Sequence, residues 1–173
     1  MKLNYDEIWR KSVIPGFPPS LHKKELLAFL IEIGRPSSVL LLGGTVQSAI
    51  GLAQVVKSKG HLVIAETSSF QVERYAKESR SGISVVQKVD YNSIATKLFD
   101  VVFVDSLKNF RWSHRYFDLC KVGGTIGING ILNDSVDSMK VVWEALEEEP
   151  HVHKEFVTSP HDIGIGVLVK GKE

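Results

Sequence analysis

The sequence predicts an α/β domain on a doubly wound, mostly parallel sheet of about seven strands, with helices on both faces and a C-terminal antiparallel hairpin. Three observations lead there. Apolar runs of strand length alternate with longer stretches of helical period, as where "SVLLLGG" gives way to "SAIGLAQVVKSKG". "FDVVFVD" sets an unbroken apolar run between Asp100 and Asp105, which suits a strand buried on both faces. Near the end, "HVHKEFVTS" and "IGIGVLVKG" are separated only by "PHD". That gap is too short for a crossover helix, so the two runs should pair as a hairpin.

The elements follow in chain order. Residues 1–20 form a leader whose proline-rich "IPGFPPS" is irregular, with Phe17 a candidate lid residue, and residues 21–173 form one domain. "LHKKELLAFLIEI" places Leu21, Leu26, Leu27, Leu30 and Ile33 near one helical stripe, with Ser20 as N-cap and Gly34 as the stop. "SVLLLGG" is the first strand, "SAIGLAQVVKSKG" a helix ended by Gly60, and "HLVIAET" the second strand. The amphipathic "SFQVERYAKES" should be the next crossover helix, and "ISVVQKVD" the third strand. "FDVVFVD" is the fourth strand, "GGTIGINGIL" the fifth, and "SVDSMKVVWEALEEE" the helix that precedes the hairpin.

Composition narrows the function classes. At 173 residues and 43% hydrophobic, the chain can build one core of ordinary size. Lysine plus arginine number 21 against 20 aspartate plus glutamate, so the net charge of +1 offers no broad field for nucleic acid or anionic lipid. The lone Cys120, among apolar neighbours, excludes an internal disulfide framework and reads as a core residue. No apolar run reaches membrane-spanning length without glycine or charge, and a cytoplasmic location is expected. His151 and His153 lie two apart on a strand, with His161 further on, and no third ligand is indicated beside them.

In doubly wound sheets, ligands bind outside the carboxyl ends of the strands. Gly43 and Gly44 close the first strand and free the backbone to approach a ligand, while the helix that follows aims its positive end at the same space. Glu66 closes the second strand, at a spacing from Gly43 suited to accepting hydrogen bonds from ribose hydroxyls. Asp90 and Tyr91 follow the third strand, and Asp105 the fourth. Consecutive strands thus bring acids and glycines to one edge.

The order of elements, Glu66, Asp90, "FDVVFVDSLKNF", "KVGGTIGINGIL" and the closing hairpin together resemble the class I S-adenosylmethionine-dependent methyltransferases. They are most similar to the small O-methyltransferases related to the catechol and caffeoyl-coenzyme A enzymes. The resemblance covers roughly residues 20–170 and is most specific at Asp105 with Lys108, followed by Gly123 and Gly124. It implies a Rossmann-like fold and S-adenosylmethionine as cofactor, leaving S-adenosylhomocysteine as product. By this resemblance Gly43, Gly44 and Thr45, with Gln47 and Ser48 beside them, hold the methionine part of the cofactor. Glu66 with Thr67 holds the ribose, Asp90 with Tyr91 meets the adenine, and Asp105 completes the cofactor set. Lys108 stands where the family has a lysine near the reacting hydroxyl, which makes Lys108 and Asp105 the candidate catalytic groups. In the aromatic and basic segment "KNFRWSHRYFD", Trp112 and His114 are candidates for the acceptor pocket, as is Asn129.

Departures from the pattern refine this expectation. Leu41 stands where the family's first motif has an acid, and Val46 and Gln47 where it has a further glycine. The catechol-type enzymes hold a divalent cation with Asp105's counterpart and an adjacent aspartate and asparagine after the fifth strand, where this chain has Asn129 and Gly130. One carboxylate and one neutral amide suit a hard cation poorly, so no metal is expected. The resulting expectation is metal-independent O-methylation of a small-molecule acceptor, with a homodimer as a candidate assembly. The alternative is a catalytically inactive, methyltransferase-like binding protein. A nicotinamide oxidoreductase is disfavoured, because "GGTVQS" does not match G-x-G-x-x-G.

Overall fold

A computed structural model describes residues 26, 29–30, 32–43, 46–57, 59–65, 82–86, 94, 97–105, 115–132, 139–146, 152–156 and 164–171. The leader and Ser20, Leu21 and Leu27 lie outside these residues, as does the expected crossover helix "SFQVERYAKES". The strands are β1 (Ser38–Leu42), β2 (His61–Ala65), β3 (Gly82–Val86), β4 (Phe99–Val104), β5 (Cys120–Asn129), β6 (Val152–Phe156) and β7 (Ile165–Val169). The helices are α1 (Val46–Val55), α2 (Arg115–Asp118) and α3 (Met139–Leu146).

The strands form one sheet in the order β3-β2-β1-β4-β5-β7-β6. All neighbours from β3 to β5 are parallel, and β7 runs antiparallel to both β5 and β6. The hairpin expected at the C-terminus is therefore present, and it completes the sheet. Winding proceeds outward from β1 to β3, then returns to β1's other side at β4, so the winding reverses between β1 and β4. The crevice of a doubly wound fold lies at that reversal.

Alternation along β1 explains why it is apolar throughout. Leu40 and Leu42 join Val102, Val104, Ile126 and Ile128 on one face, where Tyr116 of α2 and Met139, Val142, Trp143 and Leu146 of α3 cover them. Val39 and Leu41 face the other way, with Leu62, Ile64, Val101 and Phe103, under Ala49, Leu52 and Ala53 of α1 and the preceding helical residues Leu26, Phe29 and Leu30. A central parallel strand has no wet side, hence a continuous apolar run. Phe29, outside the predicted stripe, is fully buried and stacks on Phe103 at 4.6 Å between centroids. A Cβ at Gly127 would come within 2.5 Å of Phe29, so the ring pair requires glycine there. Trp143 makes the same demand at Gly166 on the opposite face.

Several element boundaries differ from expectation. The fifth strand was expected over "GGTIGINGIL" but runs from Cys120 to Asn129. It starts early because Cys120 already pairs with Phe99, ahead of a register irregularity between Phe99 and Val101. Gly123 at φ 77° donates its N–H to Lys170 O (2.8 Å), and Lys170 returns one to Gly124 O (2.9 Å), so the edge stays paired through the irregularity. The strand stops where Gly130 adopts φ 83° and bonds to Gly164 O at 2.7 Å. α1 begins at Val46, earlier than "SAIGLA", and ends at Val55 well before Gly60. Gly60 instead lets two backbones pass closely, since a Cβ there would come within 2.5 Å of Ser37 O. Gly34 is the expected stop, at φ 63°.

Candidate functional site

The carboxyl ends of β2, β1, β4 and β5 are tied side by side. Gly43 N–H donates to Ala65 O at 3.1 Å, and Asp105 N–H donates to Leu42 O at 3.0 Å. Asn129 Nδ2 donates to Asp105 Oδ1 at 2.5 Å. Strand alternation continued past Phe103 and Gly127 puts Asp105 and Asn129 on the sheet face that carries Phe29. Thus Gly43, Asp105 and Asn129 meet at one edge, beside the reversal of winding.

Each of the three has a local reason for its place. Gly43 leaves β1 at φ 66°, in the left-handed region that favours glycine, so the turn needs that residue and projects no side chain. Asp105 follows a strand that is almost wholly buried and is itself only 6% exposed. A buried carboxylate requires partners, and the Asn129 amide supplies one. Asn129 is half-buried at the last position of β5. Its Oδ1 is buried and has no hydrogen-bond partner among the described residues.

Ser48 lies in the first turn of α1 and is buried at 4% exposure. Gln47 is in the same turn, and only its backbone is described. Gly44, Thr45, Glu66, Thr67, Asp90, Tyr91, Lys108, Trp112 and His114 lie outside the described residues. The pairing of Asn129 with Asp105 could not be read from spacing, because it depends on the register that sets Ile128 against Val104. Leu41, where the resemblance would place an acid, is fully buried.

A second polar cluster lies at the opposite edge of the sheet. Asp100 accepts N–H bonds from Ser37 (2.7 Å) and Ser38 (3.0 Å) and pairs with Lys121 Nζ at 2.6 Å. Burial pushes its carboxyl up, but Lys121 and the two amides outweigh this and hold it below the ordinary 3.8. A shallow cleft there, lined by Ile33, Pro36, Asp100, Lys121 and Thr125 among others, includes none of the predicted site residues. Cys120 is buried, and burial drives its thiol up to about 12, which suits a core residue and not a nucleophile.

Among the described residues the donor set at this edge is one carboxylate and one neutral amide, which suits a hard divalent cation poorly. Asp105 already receives the Asn129 amide, Gly130 has no side chain, and no group of three ligating residues occurs among the described residues. Nor, among the described residues, is any helix long and apolar enough to cross a membrane.

The chain shares this strand order, with its reversal after β3 and its antiparallel β7, with a fold seen in solved methyltransferase structures. Solved structures with this fold include an O-methyltransferase from Bacillus cereus in complex with SAH, at 20% identity over 96% of this chain and 90% of that one, TM-score 0.59. TomG from Streptomyces achromogenes, an O-methyltransferase involved in tomaymycin synthesis and solved with SAM, shares 20% identity over 96% of this chain and 88% of its own, TM-score 0.63. A methyltransferase from Geobacter sulfurreducens matches at 12% identity over 97% and 86%, TM-score 0.64. No family model and no curated protein matches the sequence.

Proposed function

We propose that the chain transfers the methyl group of S-adenosylmethionine to an oxygen of a small-molecule acceptor, without a metal ion. The observation that carries this reading is the convergence of Gly43, Asp105 and Asn129 at the switch point of a sheet shared with SAM- and SAH-bound O-methyltransferases. The left-handed, side-chain-free turn at Gly43 fits a ligand that must approach backbone closely. Gly43, Gly44 and Thr45, with Gln47 and Ser48 at the head of α1, would hold the methionine part. Glu66 and Thr67 would hold the ribose, and Asp90 with Tyr91 would meet the adenine.

When bound, the cofactor supplies an electrophilic methyl carbon on a sulfonium sulfur. The protein then contributes orientation and proton removal. Asp105, held by Asn129, is assigned to the cofactor and to catalysis, since it follows β4, one of the two strands between which the winding reverses. Lys108, three positions on, is the proposed base and acts in its neutral form. Trp112, His114 and Asn129 are assigned to the acceptor.

Calorimetric titration with S-adenosylmethionine and S-adenosylhomocysteine tests the reading. Both should bind, and Glu66→Ala should weaken them by about tenfold to a hundredfold, the effect of one lost bond to a charged acceptor. Unchanged affinity in Glu66→Ala would remove that residue from the site. The burial of Leu41, where a cofactor-binding acid is missing, favours a second reading, an inactive binding protein of the same fold. Binding of neither ligand at about millimolar concentration would select it.

A further inference from the structure

We infer that the Asn129 carboxamide reads a hydrogen-bond donor on the methyl acceptor, so that the site takes a hydroxyl or amino group at that point and rejects an anion. That the ligand is a methyl acceptor rests on the proposed activity; the preference for a donor rests on the geometry alone. Asn129 Nδ2 donates to Asp105 Oδ1 at 2.5 Å. Turning the amide over would set its oxygen against the carboxylate, acceptor against acceptor, so the pair fixes which end faces which. The amide oxygen is left buried with no hydrogen-bond partner among the described residues.

A buried carbonyl oxygen in that state is destabilising until a donor reaches it. It sits at the last residue of β5, on the edge that also holds Gly43 and Asp105, where a doubly wound sheet receives its ligand. The oxygen can only accept, and its neighbour is a carboxylate, so the local chemistry complements an O–H, an N–H or an ammonium. A carboxylate or phosphate would set acceptor against acceptor at the amide oxygen. The oxygen is shielded from water, so only a group that brings its own donor satisfies it.

Three probes of similar size separate these chemistries: benzylamine, benzyl alcohol and benzoate. Each is titrated into the protein, with and without S-adenosylhomocysteine, while the side-chain amide resonance of Asn129, assigned by its loss in Asn129→Leu, is followed by NMR. Benzylamine and benzyl alcohol should move that resonance and bind about tenfold more tightly than benzoate. In Asn129→Leu the preference of the amine and the alcohol over benzoate should fall below about twofold. Should Asn129→Leu fail to fold, Asn129→Asp should keep the preference for the amine. The inference is overturned if benzoate binds as tightly as the others, if the preference survives in Asn129→Leu, or if no probe moves the resonance at about 10 mM. A donor preference in a protein that does not bind S-adenosylhomocysteine would uphold the reading of Asn129 and refute the proposed activity.

Discussion

Replacing Asp100 with alanine should cost about 3 kcal/mol of stability, because its carboxylate closes the amino edge of the sheet. Asp100 Oδ2 accepts both the Ser37 and Ser38 amides, at 2.7 and 3.0 Å, and Oδ1 takes Lys121 Nζ at 2.6 Å. The Asp100 amide in turn donates to Ser38 Oγ at 3.0 Å. These bonds join β1, β4 and β5 across 62 and 21 residues of sequence. Bonds from backbone amides to a carboxylate contribute about 1.5 to 3 kcal/mol each, though two that share one oxygen do not add fully. The Lys121 pair contributes less, about 1 kcal/mol at most, since the side chains are 43% and 29% exposed. Lys121→Met should therefore cost about a third of the alanine change, and Asp100→Asn, which keeps one acceptor, about half.

Urea unfolding followed by tryptophan fluorescence reads these differences, and their pH dependence supplies a second check. The folded carboxyl titrates below the ordinary 3.8, so the unfolded chain binds the proton more tightly. The contribution of Asp100 is thus full above about pH 4 and fades as pH falls through the folded-state value. The gap between native protein and Asp100→Ala should narrow accordingly in acid. A loss under about 1 kcal/mol, or a gap unchanged from neutral pH down into acid, would refute the reasoning.

Leu41→Glu, which would restore the acid of the resembling family, should cost about 3 to 5 kcal/mol, because Leu41 is fully buried between Ile64 and Phe103 in the sheet. In the fraction that folds, calorimetry should find S-adenosylmethionine affinity raised by no more than about tenfold, and a variant of native stability would show the position to be wetter than its burial implies. The Cys120 thiol, pushed by burial to about 12, should resist iodoacetamide near about pH 8 until the protein is unfolded. Labelling of folded protein at the rate of a free thiol would contradict its burial.

Much of the fold is legible in the sequence, because burial on two faces forces unbroken apolar strands such as "SVLLL" and "DVVFV", and a three-residue gap forbids a crossover before β7. Gly43 and Gly34 were equally readable, since the left-handed turns they make, at 66° and 63°, strongly favour glycine. Periodicity missed Phe29, because its burial depends on a partner, Phe103, far away in sequence. It also misplaced the start of β5, which is fixed by pairing across a register irregularity that no local pattern records.

The sequence by itself determined the alternation of strands and helices, the closing hairpin, and the delivery of Gly43 and Asp105 to strand ends, for these follow from local period and burial. Only the tertiary structure decided that β4 lies beside β1 and β5 beside β4, in the register that sets the Asn129 amide on Asp105 and leaves the amide oxygen without a partner among the described residues. Hydrogen bonds between side chains 24 residues apart exist only once the backbone ladder has been chosen, and that choice is made by packing over the whole sheet.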